Sequence, residues 1–282
     1  MAAEAQHDEQ LAWERRAALP VAVCAVLAGL LFLQELFVQG AIAENRPGIE
    51  RGPDSLLTLH DHTGALVASS IAKAIGVLLL IPVFFFLFRA TRYRSSELPE
   101  FFKWLIVIGP LLYAFFVVAG LIEQIDLADK FANGLPIRGE AGGDRATDLA
   151  DPSPFVVASA LAGTLAVAFL FVMLSLRAMR AGLLSRFMGV LGVVVGALTV
   201  LPVFAGAQQI ITLFWLGALA ALFLGRWPNG RGPAWESAEA DPWPSPAQRR
   251  GLLGPAGEDA AASSEEPEAA PQRPASRKRK RR

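Results

Sequence analysis

Lys73 lies inside the apolar run LVASSIAKAIGVLLLIPVFFFLF (residues 66–88), where an unpaired ammonium would be costly. Candidate partners recur near the ends of other apolar runs. Gln34 and Glu35 sit in LFLQELF, Glu123, Gln124 and Asp126 in AGLIEQID, and Gln208-Gln209 at the start of the last run. A lysine facing carboxylates and amides at a membrane boundary can do three things. It can snorkel to water along its own stem, tie helices together as an ion pair, or form a binding or proton-handling site. The residue types leave all three open.

Other constellations carry less. His60 and His62 are two residues apart, whereas paired metal ligands on a helix want a spacing of three or four. Asp144, Asp148 and Asp151 lack the alternating oxygen ligands of a calcium loop. Neither a metal nor a cofactor is expected. No Walker loop, HExxH, CxxC pair or GxSxG elbow occurs, and no enzyme activity is expected. The single cysteine, Cys24, reads as a small buried hydrophobe.

The elements that must position Lys73 follow from composition. The chain of 282 residues is 53% hydrophobic and 18% charged, against about a quarter charged in a soluble domain. Six stretches approach the ~20 apolar residues that cross a bilayer: about 17–38, 66–88, 102–122, 155–176, 187–204 and 209–225. The expected fold is an all-α bundle of six transmembrane helices, residues 17–225. A cytoplasmic segment, 1–16, precedes it and a disordered cytoplasmic tail, 226–282, follows. The segment GPDSLLTLHDHTG should form a short amphipathic surface helix capped by Asp54 or Ser55. The acidic, glycine-rich 134–154 stretch reads as a mobile loop.

Basic residues set the threading. The 89–103 and 177–186 loops carry Arg89, Arg92, Arg94, Lys103, Arg177, Arg180 and Arg186. The 39–65 segment has only Arg46 and Arg51, and 123–154 has three basic residues against seven acids. Both termini are therefore expected in the cytoplasm, as an even number of spans requires. Ala41-Ile42-Ala43 fits a signal-peptidase site, but the first apolar run is longer than a signal-peptide core, which favours an uncleaved anchor.

Small residues mark helix contacts in lipid. Gly192 and Gly196 form a GxxxG pair, and Gly217 and Ala221 share that spacing, so the fifth and sixth spans are expected to pack backbone to backbone. A homodimer face is the other use of such stripes. Pro82, Gly109-Pro110 and Pro202 lie in or near spans and can bend them. Trp227 and Trp235 read as interface residues. The tail closes on Arg277, Lys278, Arg279, Lys280, Arg281 and Arg282, a run drawn to anionic lipid at about 1 kcal/mol per cation. The same charge would attract nucleic acid, without a specific partner.

The segments RAGLLSRFMGVLG, entering the fifth run from Arg180, and LGRWPNG, leaving the sixth, resemble a set of actinobacterial six-span integral membrane proteins. The long outer first and third loops are similar to a broader bacterial family defined only as a domain of unknown function. The resemblance implies the fold and a bacterial plasma-membrane location, and carries no catalytic residue. The sequence thus leads to a multi-pass membrane protein with a non-enzymatic structural, envelope or partner-binding role. A small-solute or ion-coupled transporter using the Lys73 cluster is the alternative.

Overall fold

The computed structural model describes residues 2–45, 53–95, 98–137, 139–149, 153–201, 205–228, 230–241 and 243, and every regular element among them is a helix. In chain order these are α1 (Ala2–Asn45), α2 (Pro53–Asp61), α3 (Thr63–Arg94), α4 (Phe102–Ala132), α5 (Gly139–Leu149), α6 (Pro154–Arg180), α7 (Arg186–Val200), α8 (Ala205–Phe223) and α9 (Ala234–Ser237). Five of them, α1, α3, α4, α6 and α8, contain segments long and apolar enough to cross a membrane. The α7 helix is apolar but has 15 residues, about 22 Å at 1.5 Å per residue. The chain is a multi-pass, all-α membrane protein.

The long helices close into a ring. Neighbours pack as α1 on α3, α3 on α4, α4 on α6, α6 on α7, α7 on α8, and α8 back on α1. Across the middle, Phe84 of α3 meets Phe171 of α6 edge-on at 4.9 Å, and Phe171 meets Trp215 of α8 at 5.3 Å. Trp215 is fully buried and donates its indole N–H to Met188 O of α7 at 3.0 Å. The outer faces are apolar: Leu19, Leu161, Phe155 and Phe187 are all more than half exposed, a pattern that suits lipid. Cys24 is only half-buried against the core.

Helix contacts are set by glycine, although not between the expected pair. Gly189, Gly192 and Gly196 of α7 all face α6, where a Cβ at Gly196 would fall 2.7 Å from Ala168 O. Gly192 also borders α8, where its Cβ would fall 2.8 Å from Trp215 Nε1. Gly217 of α8 has nothing within 4 Å, and α8 packs chiefly on α1, whose Gly29 lies against Leu213. The α6–α7 connection explains this. Gly182 takes φ +79°, its N–H bonds to Met179 O, and Leu183 N–H bonds to Ala178 O, a paired closure that requires a left-handed residue. Ser185 then caps α7 by accepting from Met188 N–H. This turn brings the first residues of α7 back against the end of α6, where Gly189 meets Met179.

Gly163 shows the strength of this constraint. A Cβ there would lie 2.5 Å from Tyr113 N and 2.7 Å from its Cα, both backbone atoms of α4. Gly163→Val should therefore lower stability by about 1–3 kcal/mol. Gly217→Ala should be neutral or stabilise by a few tenths, because alanine is the better helix former. Thermal melts of both variants in one detergent check the contrast.

Three further expectations change. Residues 2–16 are not a separate segment, because α1 begins at Ala2 and carries Gln10 and Glu14 into the core. The 134–154 stretch contains α5, whose Arg145 bonds Lys130 O at 2.7 Å and Phe131 O at 3.0 Å, satisfying carbonyls at the end of α4. The folded unit also runs past residue 225 to Trp243, with Ala234 and Trp235 in the core. The helices are continuous through Pro20, Pro82 and Pro110, so none is a broken helix. Pro202 and the basic run Arg277 to Arg282 lie outside the described residues.

Candidate functional site

On α1, residues 14, 18, 21, 25, 28, 32 and 35 step by four and three in turn, and on α3 residues 73, 77, 80, 84, 87, 91 and 94 do the same. This is the 3.5-residue repeat that keeps one seam facing a partner helix. The α1 seam is small (Ala18, Val21, Ala25, Ala28) and the α3 seam is large (Val77, Leu80, Phe84, Leu87), and both are buried. Each seam ends in charges: Glu14 and Glu35 on α1, Lys73 and Arg94 on α3. Both intervals are 21 residues, about 32 Å of helix, close to the ~30 Å of hydrocarbon. Because the helices run antiparallel, each acid meets a base.

At one end Lys73 donates to Glu35 Oε1 at 2.9 Å, with the two side chains 25% and 15% exposed. Gln209 of α8 donates to the other oxygen, Oε2, also at 2.9 Å. Gln34 bonds Ser69 O and Oγ at 3.0 and 3.1 Å, pinning α1 to α3 one residue away. Below the pair is a cavity of about 40 Å³, lined by Tyr113, Thr199, Gln208, Gln209 and Thr212 among others. Gln209 Oε1 is buried there without a hydrogen-bond partner among the described residues. Above it an opening of about 240 Å³ is lined by Lys73, Glu35, Ser70 and Gln124.

Glu123 does not join this group. It lines a separate groove of about 620 Å³ with Asp126, Lys130 and residues of α6. Gln124 borders both openings. His60 bonds Asp129 of α4 at 2.7 Å, and His62 faces Thr58 O at 3.1 Å, so the two rings are engaged separately.

The other end holds the more buried pair. Arg94 Nη1 and Nη2 donate to Glu14 Oε1 and Oε2 at 2.6 and 3.0 Å, with side-chain exposures of 0% and 2%. Arg94 also donates to Ala90 O at 3.0 Å and to Ala234 O at 2.8 Å, and Gln10 donates to Glu14 Oε1 at 2.9 Å. Nearby, Glu100 accepts from Lys103 at 3.2 Å and Arg92 at 2.7 Å, and these two cations hold its carboxyl below the usual carboxylate range.

Sequence reasoning found Lys73, Glu35 and Gln34 and missed Glu14 and the Arg94 fork. The clue was the equal 21-residue interval between unlike charges on the two helices. Gln209 was signalled only as a polar group at the start of the last run, and Tyr113 was missed. No protein-family model matches the chain, and no curated protein or solved structure matches it.

Proposed function

We propose that this is a non-enzymatic, multi-pass plasma-membrane protein with a structural, envelope or partner-binding role, in which the polar cluster is a clasp. Both termini are cytoplasmic, with the Lys73 end outside. The membership suggested by RAGLLSRFMGVLG and LGRWPNG, in an actinobacterial six-span group, belongs to the same proposal. The single observation that carries the reading is the matched pair of ion pairs, Glu14–Arg94 and Glu35–Lys73, closing one α1–α3 seam at both membrane boundaries. A cavity of about 40 Å³ has room for a few waters or a small ion and none for an organic solute.

A second reading, a cation- or proton-coupled transporter, draws on the unsatisfied Gln209 Oε1 and the opening above Lys73. Lys73→Met separates the two. For a clasp, native mass spectrometry from lipid nanodiscs should find no small ligand in either protein. The variant should lose about 2 kcal/mol, a fall of roughly 4–8 °C in melting temperature. Adding Glu35→Gln should recover part of the loss, because the buried carboxylate that faced Lys73 is then uncharged. A ligand retained by wild type and lost in a variant of unchanged melting temperature would replace the clasp with a binding site.

A further inference from the structure

At the Arg94 end, a groove of about 640 Å³ opens between the first turns of α1 and the last turns of α3. Its walls are helical stripes. Trp13 and Arg16 lie on one side, Phe85, Arg89 and Arg92 on the other, and Lys103 of α4 closes it. We propose that this groove is a binding site for the headgroup of an anionic phospholipid. The proposal goes beyond the clasp reading, which assigns the groove no role.

Charge is the first argument. Four cations converge against two nearby carboxylates, Glu9 and Glu100. Glu100 is taken by Arg92 and Lys103. Among the described residues, neither Arg16 nor Arg89 has a carboxylate partner. Arg16 Nε donates only to Ala12 O, at 3.2 Å, and Arg89 lies over the Trp13 ring at 4.0 Å. Stacking on the indole holds the Arg89 guanidinium by its face and leaves its N–H edge for an anion, the geometry in which arginine binds phosphate.

Position is the second argument, and it selects a lipid over a soluble phosphate. Phe85 lies one turn deeper in the span than Arg89, lines the same groove and is 42% exposed. A phosphate held by Arg16 and Arg89 would therefore place its acyl chains against Phe85. The volume suits a headgroup, since small-molecule sites run from about 300 to 1,000 Å³.

The test uses the full chain in nanodiscs of phosphatidylcholine with one-fifth phosphatidylglycerol, released and weighed by native mass spectrometry. The variant is Arg16→Gln/Arg89→Gln. Its control is Arg281→Gln/Arg282→Gln, which removes equal charge from the C-terminal run. At about 1 kcal/mol per cation, the groove variant should bind its retained phosphatidylglycerol roughly 30-fold more weakly, and the control should keep it. Equal retention in all three proteins, or equal loss in both variants, overturns the proposal. Should the groove variant melt below wild type, Lys103→Gln is read in its place. An approximately fivefold weakening is then expected, and none overturns the site. In detergent, tight uptake of inorganic phosphate alone by wild type would also overturn it, by making the ligand a free anion.

Discussion

Arg94→Met should destabilise the protein by about 3–5 kcal/mol, the largest loss expected of any single charge substitution in the chain. The substitution takes both guanidinium bonds from Glu14, which is 1% exposed and keeps the hydrogen bond from the uncharged Gln10 amide. It also removes the Nε–H that satisfies Ala234 O and the contact of the guanidinium with the Trp235 ring at 5.4 Å. Glu14→Gln should cost less, because a neutral amide can still accept from Arg94. The double variant Glu14→Leu/Arg94→Met should lose less than the sum of the two corresponding single changes, since no unpaired charge is left buried. Arg94→Lys keeps the charge and loses the two-pronged geometry, so it should fall between. Denaturant or thermal unfolding in a single detergent measures all of these. A loss under 1 kcal/mol for Arg94→Met would show that the buried pair does not hold α1 to α3.

This expectation also shows what the sequence made visible. Apolar length located five long helices and α7, because about 20 apolar residues have few other uses. Hydropathy runs end where charge begins, however. The α1 and α3 helices extend beyond their apolar runs, so one charged end of each seam, Glu14 on α1 and Arg94 on α3, fell outside the runs that defined the spans. Arg94 was counted as a loop cation and is instead buried between two helices and the chain beyond α8. Lys73 had two acids to choose between. The register of the α1–α3 seam selects Glu35, and register is a property of two helices together. The GxxxG spacing in α7 correctly marked a close-packed face but could not name the partner. The Gly182 turn names it, by setting α7 beside α6. The segments RAGLLSRFMGVLG and LGRWPNG each include a turn closed by a left-handed glycine, Gly182 and Gly225. Glu123 remained ambiguous because α4 presents polar groups toward both α3 and α6 near that end.

Trp235→Ala should cost about 3–5 kcal/mol, as for a large aromatic removed from a packed core. Its ring stacks on Phe86 at 5.8 Å and 14° and meets Phe223 at 6.0 Å and 68°. The Arg231 guanidinium lies 5.4 Å from it and also donates to Phe223 O. The indole N–H satisfies Leu183 O at 2.9 Å, in the turn between α6 and α7. One side chain therefore joins the ends of α3, α6 and α8. Trp235→Phe should keep the stacking and leave that carbonyl short of a donor, for a loss nearer 1–2 kcal/mol. Composition pointed the other way, because the stretch after Gly225 is rich in proline, glycine and charge. Trp227 and Trp235 were read as interface residues; with Trp243 they are instead the signal of a folded stretch, since aromatic residues are scarce in chains that stay unfolded. Truncation locates the boundary directly. A chain ending at Trp243 should melt as the full chain does, and one ending at Pro228 should lose at least as much as Trp235→Ala. Because Trp235 and Arg94 share a contact, Arg94→Met/Trp235→Ala should lose less than the two single changes added. Additive losses would mean that the segment after α8 and the buried ion pair stabilise the bundle independently.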